Sequence, residues 1–447
     1  MDISKCIEEF VEIGKFWIEN QEELHVGMLS VEANGKIKLE IYNDFSTSDF
    51  WRVRDSDERR SASIISGQLK NGQTITLVDC HYLFDGIWTA TFLLKGGRSR
   101  YEDANDINFN KARVTFTDLE KWLPRQVSAS IDREKKMITS KLQQAPKHKI
   151  TSMDCEVTLG YSWKVQHEDS SFATSGYLEF CFEETKNFRE CLEIAGYFSS
   201  LLTLCLDVAV DIEKICLFNN NWDTAAQLIY QKRRNAHERK APSDIKILPY
   251  NALKNGFTTY ISNWYSLGLT GETRDSLAIF MESYEHSIPL EITFLLLVQS
   301  WQGVANQIWR SKGGKPGKTQ REVINSLFES IRFVFPDFIN NNRDELVKKI
   351  VNSRNYYIKN SGKYSKSDIL DRDSIFIITI LLSLMIRIRL LLEIGISESE
   401  IGRILHLDKP DGLKYMIGNY VYKDLEVLCS KLETDAPNNN PSSEHTE

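Results

Sequence analysis

Arg354, Asn355 and Lys359 are the residues whose types and spacing suggest chemistry first. They fall in residues 344–360, a segment with helical spacing of its apolar positions. With Val347 at zero and about 100° per residue, Val351 lies at ~40°, Ile358 at ~20°, Ile350 at ~−60° and Arg354 at ~−20°. An arginine inside an apolar stripe must be paired with a carboxylate or aimed at a ligand, because an unpaired buried charge is costly. Asn355 and Lys359 are four apart and share one flank beside Arg354. Three polar groups thus converge at the edge of a packing face. On the residues alone, a structural ion pair and an anion-binding group both remain open.

Local charge points to a polyanion as the ligand. Residues 301–366 hold 13 Lys and Arg against 5 Asp and Glu, a surplus of +8. The whole 447-residue chain carries −7, so the remainder carries −15. Lys312, Lys315, Lys318, Lys348, Lys349 and Lys363, interleaved with Tyr356, Tyr357 and Tyr364, suit an RNA backbone with stacked bases. A solvated basic surface is the bland alternative.

Other motifs carry less. Residues 313–319, Gly-Gly-Lys-Pro-Gly-Lys-Thr, resemble a phosphate-binding P-loop, but the glycine that must precede Gly-Lys-Thr by four spacers is Lys312, and the nearest glycines leave three or two. The segment before them is also helical, so a basic loop between helices is expected. The eight histidines never pair at ligand spacing. Asp154, Glu156, His167 and Asp169 read as polar residues of an exposed strand, and residues 233–237, with Arg233, Arg234 and His237, as a charged loop. No metal and no cofactor is called for.

Two kinds of element must position these groups. Residues 26–31 and 36–41 flank Ala-Asn-Gly, and 63–69 and 74–78 flank Lys-Asn-Gly, both strong hairpin signals. Residues 88–94, 112–116, 155–165, 177–182, 212–218 and 226–230 read as further strands, 117–123 as a brief turn or helical element, and 187–206 as a helix. Residues 7–19 read as a short amphipathic helix. From residue 250 the period changes to about 3.6, with helices at 288–310, 320–335, 343–360 and 374–395 punctuated by Pro336 and Gly395. The fold class is therefore α+β and multidomain: a β-rich sandwich or barrel over 1–245, an all-α bundle over 246–433, and a disordered Asn/Pro/Ser-rich tail over 434–447.

Composition agrees with a folded chain, at 42% hydrophobic and 26% charged residues, which excludes a wholly disordered protein. The eight cysteines form no CxxC pair and several sit in apolar stretches, so free thiols in a reducing cytoplasm are expected. No signal-like apolar segment opens the chain. The strongest apolar run, 375–386, is short for a bilayer and leads into Arg387 and Arg389, so no membrane partner is expected.

Several segments also resemble a known family. Phe-Leu-Leu-Leu-Val-Gln-Ser-Trp-Gln at 294–302 looks like the first core helix of the ApeA-like branch of the HEPN superfamily. Ser-Arg-Asn-Tyr-Tyr-Ile-Lys at 353–359 looks like its Arg-Asn-x-x-x-His segment, and 382–396 like its last long helix. Gly-Gln-Leu-Lys-Asn-Gly at 67–72 and Leu-Glu-Lys-Trp-Leu at 119–123 are similar to the ApeA N-terminal domain. The resemblance spans most of 20–430.

It implies a homodimer in which two protomers share a metal-independent ribonuclease site. It further implies a role in bacterial abortive anti-phage defence, with the β-rich half sensing a trigger such as a phage-derived protein. In the family's chemistry His does acid–base work while Arg steadies the phosphate. Here Lys359 occupies the His position, Gln302 the position of a first-helix Glu, and Ala305-Asn306-Gln307 the region that follows. A lysine with an unperturbed pKa of about 10.4 binds phosphate but takes no proton at neutral pH. Three readings follow: a diverged HEPN protein that contacts RNA with reduced or no catalysis, an active endoribonuclease, and a ligand- or phage-protein-binding module with the helices as dimeriser.

Overall fold

A computed structural model of the chain describes residues 9–18, 24–42, 61–84, 86–97, 101–123, 127–132, 137–142, 144–166, 171–220, 225–231, 248–269, 271–284, 288–311, 313, 319–359, 364–365, 367–407, 409 and 411–435. The chain divides into two compact units. One comprises residues 1–203, 210–241 and 249–251, the other residues 204–209, 242–248 and 252–447.

The first unit begins with β1 (Phe10–Ile18), β2 (His25–Val31), β3 (Ile37–Ile41), β4 (Ser61–Leu69), β5 (Thr74–Phe84) and β6 (Ile87–Lys95). They close into an antiparallel barrel in the order β1-β2-β3-β6-β5-β4 and back to β1. Alternation drives this: along β2 and β3 every second residue is buried. The interior is filled by side chains. Phe16 sits at its centre against Gly67, where an added Cβ would lie 2.4 Å from the ring. Both Asn-Gly turns form as the sequence predicts, with Gly35 and Gly72 at φ near +80° (81° and 83°).

β1 corrects the helix expected over 7–19. Its residues pair with β2 on one side and β4 on the other. Val11 and Ile13 face outward and are more than half exposed, whereas Phe16 faces in. With apolar side chains on both faces, the two-residue period is hidden and a helical reading fits equally well.

The sheet continues through β7 (Asn108–Phe116), β10 (Lys147–Ile150), β11 (Cys155–Gln166), β12 (Ser171–Asn187), β13 (Ile212–Phe218) and β14 (Ala226–Tyr230), in the order β10-β11-β12-β7-β13-β14-β6. Between them lie α1 (Leu119–Trp122), the separate hairpin β8 (Val127–Asp132) and β9 (Met137–Leu142), and α2 (Phe188–Leu206). β6 serves both parts: Ile87 to Ala90 pair with β3, and Phe92 to Lys95 with β14. α2 covers the apolar face, where Phe198 meets Phe180 edge to face at 4.9 Å. Glu156 pairs with Lys147 across neighbouring strands at 2.9 Å, in keeping with a solvated polar face.

The helices are α3 (Tyr250–Leu253), α4 (Phe257–Leu269), α5 (Gly271–Glu282), α6 (Leu290–Ser311), α7 (Gln320–Ser330), α8 (Asp337–Asn341), α9 (Arg343–Lys359), α10 (Arg372–Glu393), α11 (Glu398–Ile404), α12 (Gly412–Ile417) and α13 (Asn419–Asp435). Thr319 and Glu322 form a capping box that starts α7, as Ser397 and Glu400 do for α11. α13 runs two residues into the stretch expected to be a tail; residues 436–447 lie outside the described residues. Among the described residues, α10 alone is long and apolar enough to cross a membrane, and 72% of that window is buried inside the protein. It is the core helix of the bundle.

α10 also holds an arginine that is fully buried, Arg387 at 0% exposure. Its Nε donates to the Leu204 carbonyl at 2.6 Å and its Nη2 to the Cys205 carbonyl at 3.0 Å. Its Nη1 lies 3.6 Å from the Asp207 carboxylate. Those carbonyls belong to the last turn of α2, where no intrahelical donor remains, so Arg387 caps that helix end.

Candidate phosphate-binding site on α9

α9 starts with Asp344 and Glu345 and ends with Lys359, charges that suit the helix dipole at both ends. Its buried residues are Leu346, Val347, Ile350 and Ser353. The core stripe is therefore rotated from the one expected. Val351 and Arg354 lie on its flank, half-buried, and Ile358 is 51% exposed. The polar residue truly inside is Ser353, and it is satisfied: its Oγ accepts the Leu370 N–H at 2.8 Å.

A partly exposed Arg354 needs no carboxylate, and among the described residues none lies within ion-pair distance. Its Nη1 donates to Asn355 Oδ1 at 3.0 Å. Asn355 Nδ2 donates in turn to Tyr364 Oη at 3.4 Å. Tyr364 is held there by a strap, residues 364–365 and 367–371. The Ser365 N–H and hydroxyl both donate to Asp368 Oδ2, at 3.1 and 2.6 Å, closing a turn. Asn352 Nδ2 donates to the Asp368 carbonyl at 3.2 Å, and Asp371 caps α10 by accepting from Ser374 N–H at 2.8 Å. Asn352, Ser353 and Asn355 thus each bind the strap to α9.

Electrostatics separates the lysines. Hydrogen bonds from Ser365 hold the Asp368 carboxyl below its usual value, and Lys348 and Lys349 add to this. Hydrogen bonds from Ser374 do the same for Asp371, with Lys431 and Lys349 nearby. Lys348 also pairs with Glu345 at 3.1 Å. Lys348 and Lys349 thus face carboxylates of their own chain, while Lys359 stands exposed at the helix end. Tyr356 and Tyr357 meet edge to face at 5.3 Å. Burial, then Glu291, pushes the Tyr357 hydroxyl up. Lys312, Lys315, Lys318 and Lys363 lie outside the described residues, as do His167, Asp169 and residues 233–237. The strap was missed in the sequence, although Ser365-x-x-Asp368 is a turn signal.

A family model described as ApeA N-terminal domain 1 matches residues 12–264, more than half of the chain. The chain belongs to the ApeA family. A second model, Apea-like HEPN, matches residues 291–400, which contain α6 to α10 and the Arg354 site. Neither a curated relative nor a solved structure matches. The two domains together are those of a HEPN-containing anti-phage defence protein.

Gln302 accepts from Gln320 Nε2 and so ties α6 to the start of α7. Trp301 Nε1 donates to the Val323 carbonyl at 2.9 Å beside it. Both contacts join helices. Lys359 is exposed to solvent at the end of α9.

Proposed function

We propose that this HEPN domain contacts RNA through Arg354, Asn355 and Lys359, with reduced or no catalysis by the family's usual route. The observation that carries this reading is Arg354 itself, half-exposed, oriented by Asn355 and without a carboxylate partner among the described residues. A guanidinium so placed is available to a phosphate. Lys359 supplies a second cation and no proton acceptor. Tyr356 adds an aromatic surface, and the sequence stretch that holds Lys348, Lys349, Lys312, Lys315, Lys318 and Lys363 carries further positive charge. The test is incubation of the purified protein with total RNA in EDTA, beside Arg354→Ala. Binding lost in the variant, without cleavage by either protein, supports the reading. EDTA-resistant, Arg354-dependent cleavage would establish the second reading, an active metal-independent endoribonuclease, which the retained Arg-Asn pair favours.

The protein works as a cytoplasmic homodimer in this proposal. Ile292 on α6, Ile358 on α9 and Phe376 on α10 are large apolar residues left exposed. Their helices meet at one end of the bundle, where Arg372 lies 3.9 Å from Glu291. A second copy would cover these side chains and bring two Arg354 sites together. Ile358→Asp should shift the mass measured by light scattering from dimer to monomer. An unchanged mass would place the interface elsewhere. The β-rich half, residues 1–245, is the sensor in this scheme, taking a phage-derived protein or another trigger. Its barrel interior is filled around Phe16, so the trigger would bind on the outside.

A further inference from the structure

We propose that Tyr364 is a phosphate-contacting residue of the same site, its hydroxyl donating to the RNA phosphate that Arg354 holds. This rests on the RNA-contact reading above. Hydrogen-bond chemistry fixes the arrangement. Arginine can only donate, so the Asn355 amide must turn Oδ1 toward Arg354 and Nδ2 toward Tyr364. Tyr364 Oη is then the acceptor from Asn355, and its own O–H proton is left for another acceptor. Arg354 gives Asn355 one N–H of the five that a guanidinium carries.

Two donors, one cationic and one neutral, therefore flank a single amide. A cluster that offers donors and, among the described residues, pairs Arg354 with no carboxylate is a receptor for an anion. The placement of Tyr364 is built into the fold. The Ser365–Asp368 turn, the Asn352 contact and the buried Leu370 N–H bond to Ser353 together anchor the strap beside α9. The Tyr364 ring also gives an adjacent base a face to stack on, which suits single-stranded RNA.

The experiment uses the full chain, a fluorescein-labelled single-stranded oligoribonucleotide and anisotropy titrations over a series of KCl concentrations. Wild type is compared with Tyr364→Phe, Tyr364→Ala and Arg354→Ala, each checked by thermal melting. Tyr364→Phe should weaken binding roughly ten- to a hundredfold, the loss of one hydrogen bond to a charged group. Its salt slope should match wild type, because a hydroxyl releases no counterion. Tyr364→Ala should weaken binding further by removing the stacking face. Arg354→Ala should lower the slope by about one. Tyr364→Phe binding within about twofold of wild type, with Arg354→Ala impaired, would overturn the Tyr364 assignment and leave RNA contact standing. A slope change in Tyr364→Phe equal to that of Arg354→Ala would also overturn it, since Tyr364 would then only position Arg354. If Arg354→Ala binds like wild type, RNA contact itself fails and Tyr364 falls with it.

Discussion

Arg354 and Arg387 sit on consecutive helices, and each interrupts an apolar sequence, yet they are handled in opposite ways. Arg387 is surrounded by core residues of α10 and spends its guanidinium on two carbonyls and one carboxylate of the chain. Arg354 lies on the flank of α9 and is engaged by a single neutral amide. The first is satisfied internally and so holds structure. The second is oriented but not neutralised and so is open to an external anion. What distinguishes a structural arginine from a functional one here is the partner set, which apolar surroundings alone do not reveal.

The comparison breaks hardest at Arg387. Arg387→Ala should cost about 3–5 kcal/mol, because it removes a buried cation from beside Asp207 and a donor from the Leu204 carbonyl, although the Cys205 carbonyl keeps the Leu248 N–H and Asp207 keeps the Tyr284 hydroxyl. Arg387→Met should recover the packing and little of the loss, since a thioether donates no hydrogen bond. Urea unfolding followed by far-UV circular dichroism checks both. A smaller effect is expected at Ser353→Ala, where the buried Leu370 N–H loses its acceptor, at about 1–3 kcal/mol. That variant should also speed hydrogen exchange in residues 364–365 and 367–371, because it frees the strap.

Acid should loosen the strap. Asp368 and Asp371 are held below their ordinary value of 3.8 by the serine hydrogen bonds. Their contribution is therefore complete above that value and is lost as pH falls through the lower, folded-state values. Protection of the strap amides, taken relative to intrinsic exchange at each pH, should fall on acidification below about pH 4, and Asp368→Asn should flatten that fall. Exchange that ignores both would detach these carboxylates from the strap's stability.

Much of this was legible in the sequence, for physical reasons that differ by element. The Asn-Gly hairpins are local and showed themselves directly, as did the long helices α6, α9 and α10. The closure of the barrel did not, because β1 pairs with β4 across an intervening segment and hides its period behind Val11 and Ile13. The residues of the site were legible by type at Arg354 and Asn355. Their burial was not, because a wheel centred on Val347 cannot anticipate that a serine fills the core position while an arginine turns outward. Arg387 could be seen only as a charge that ends an apolar run. Its partners lie 183 and 182 residues away in the chain.

The finest test is at Arg354, where the smallest stability change is expected. Truncating a half-exposed arginine that makes one neutral hydrogen bond should alter unfolding free energy by no more than about 0.5–1 kcal/mol. RNA affinity should nevertheless fall, and fall more at low salt than at high, because one cation fewer is releasing counterions. Arg387→Met should show the reverse: at temperatures where it stays folded, it should keep the wild-type salt slope while melting earlier. Should Arg354→Ala destabilise the protein as much as Arg387→Met does, both arginines are structural, and the phosphate site must be sought elsewhere on the basic stretch. A double variant sharpens this further. Sites with no shared partner should add within about 0.5 kcal/mol, so a larger coupling would show that the α9 site and the α2 cap are not independent.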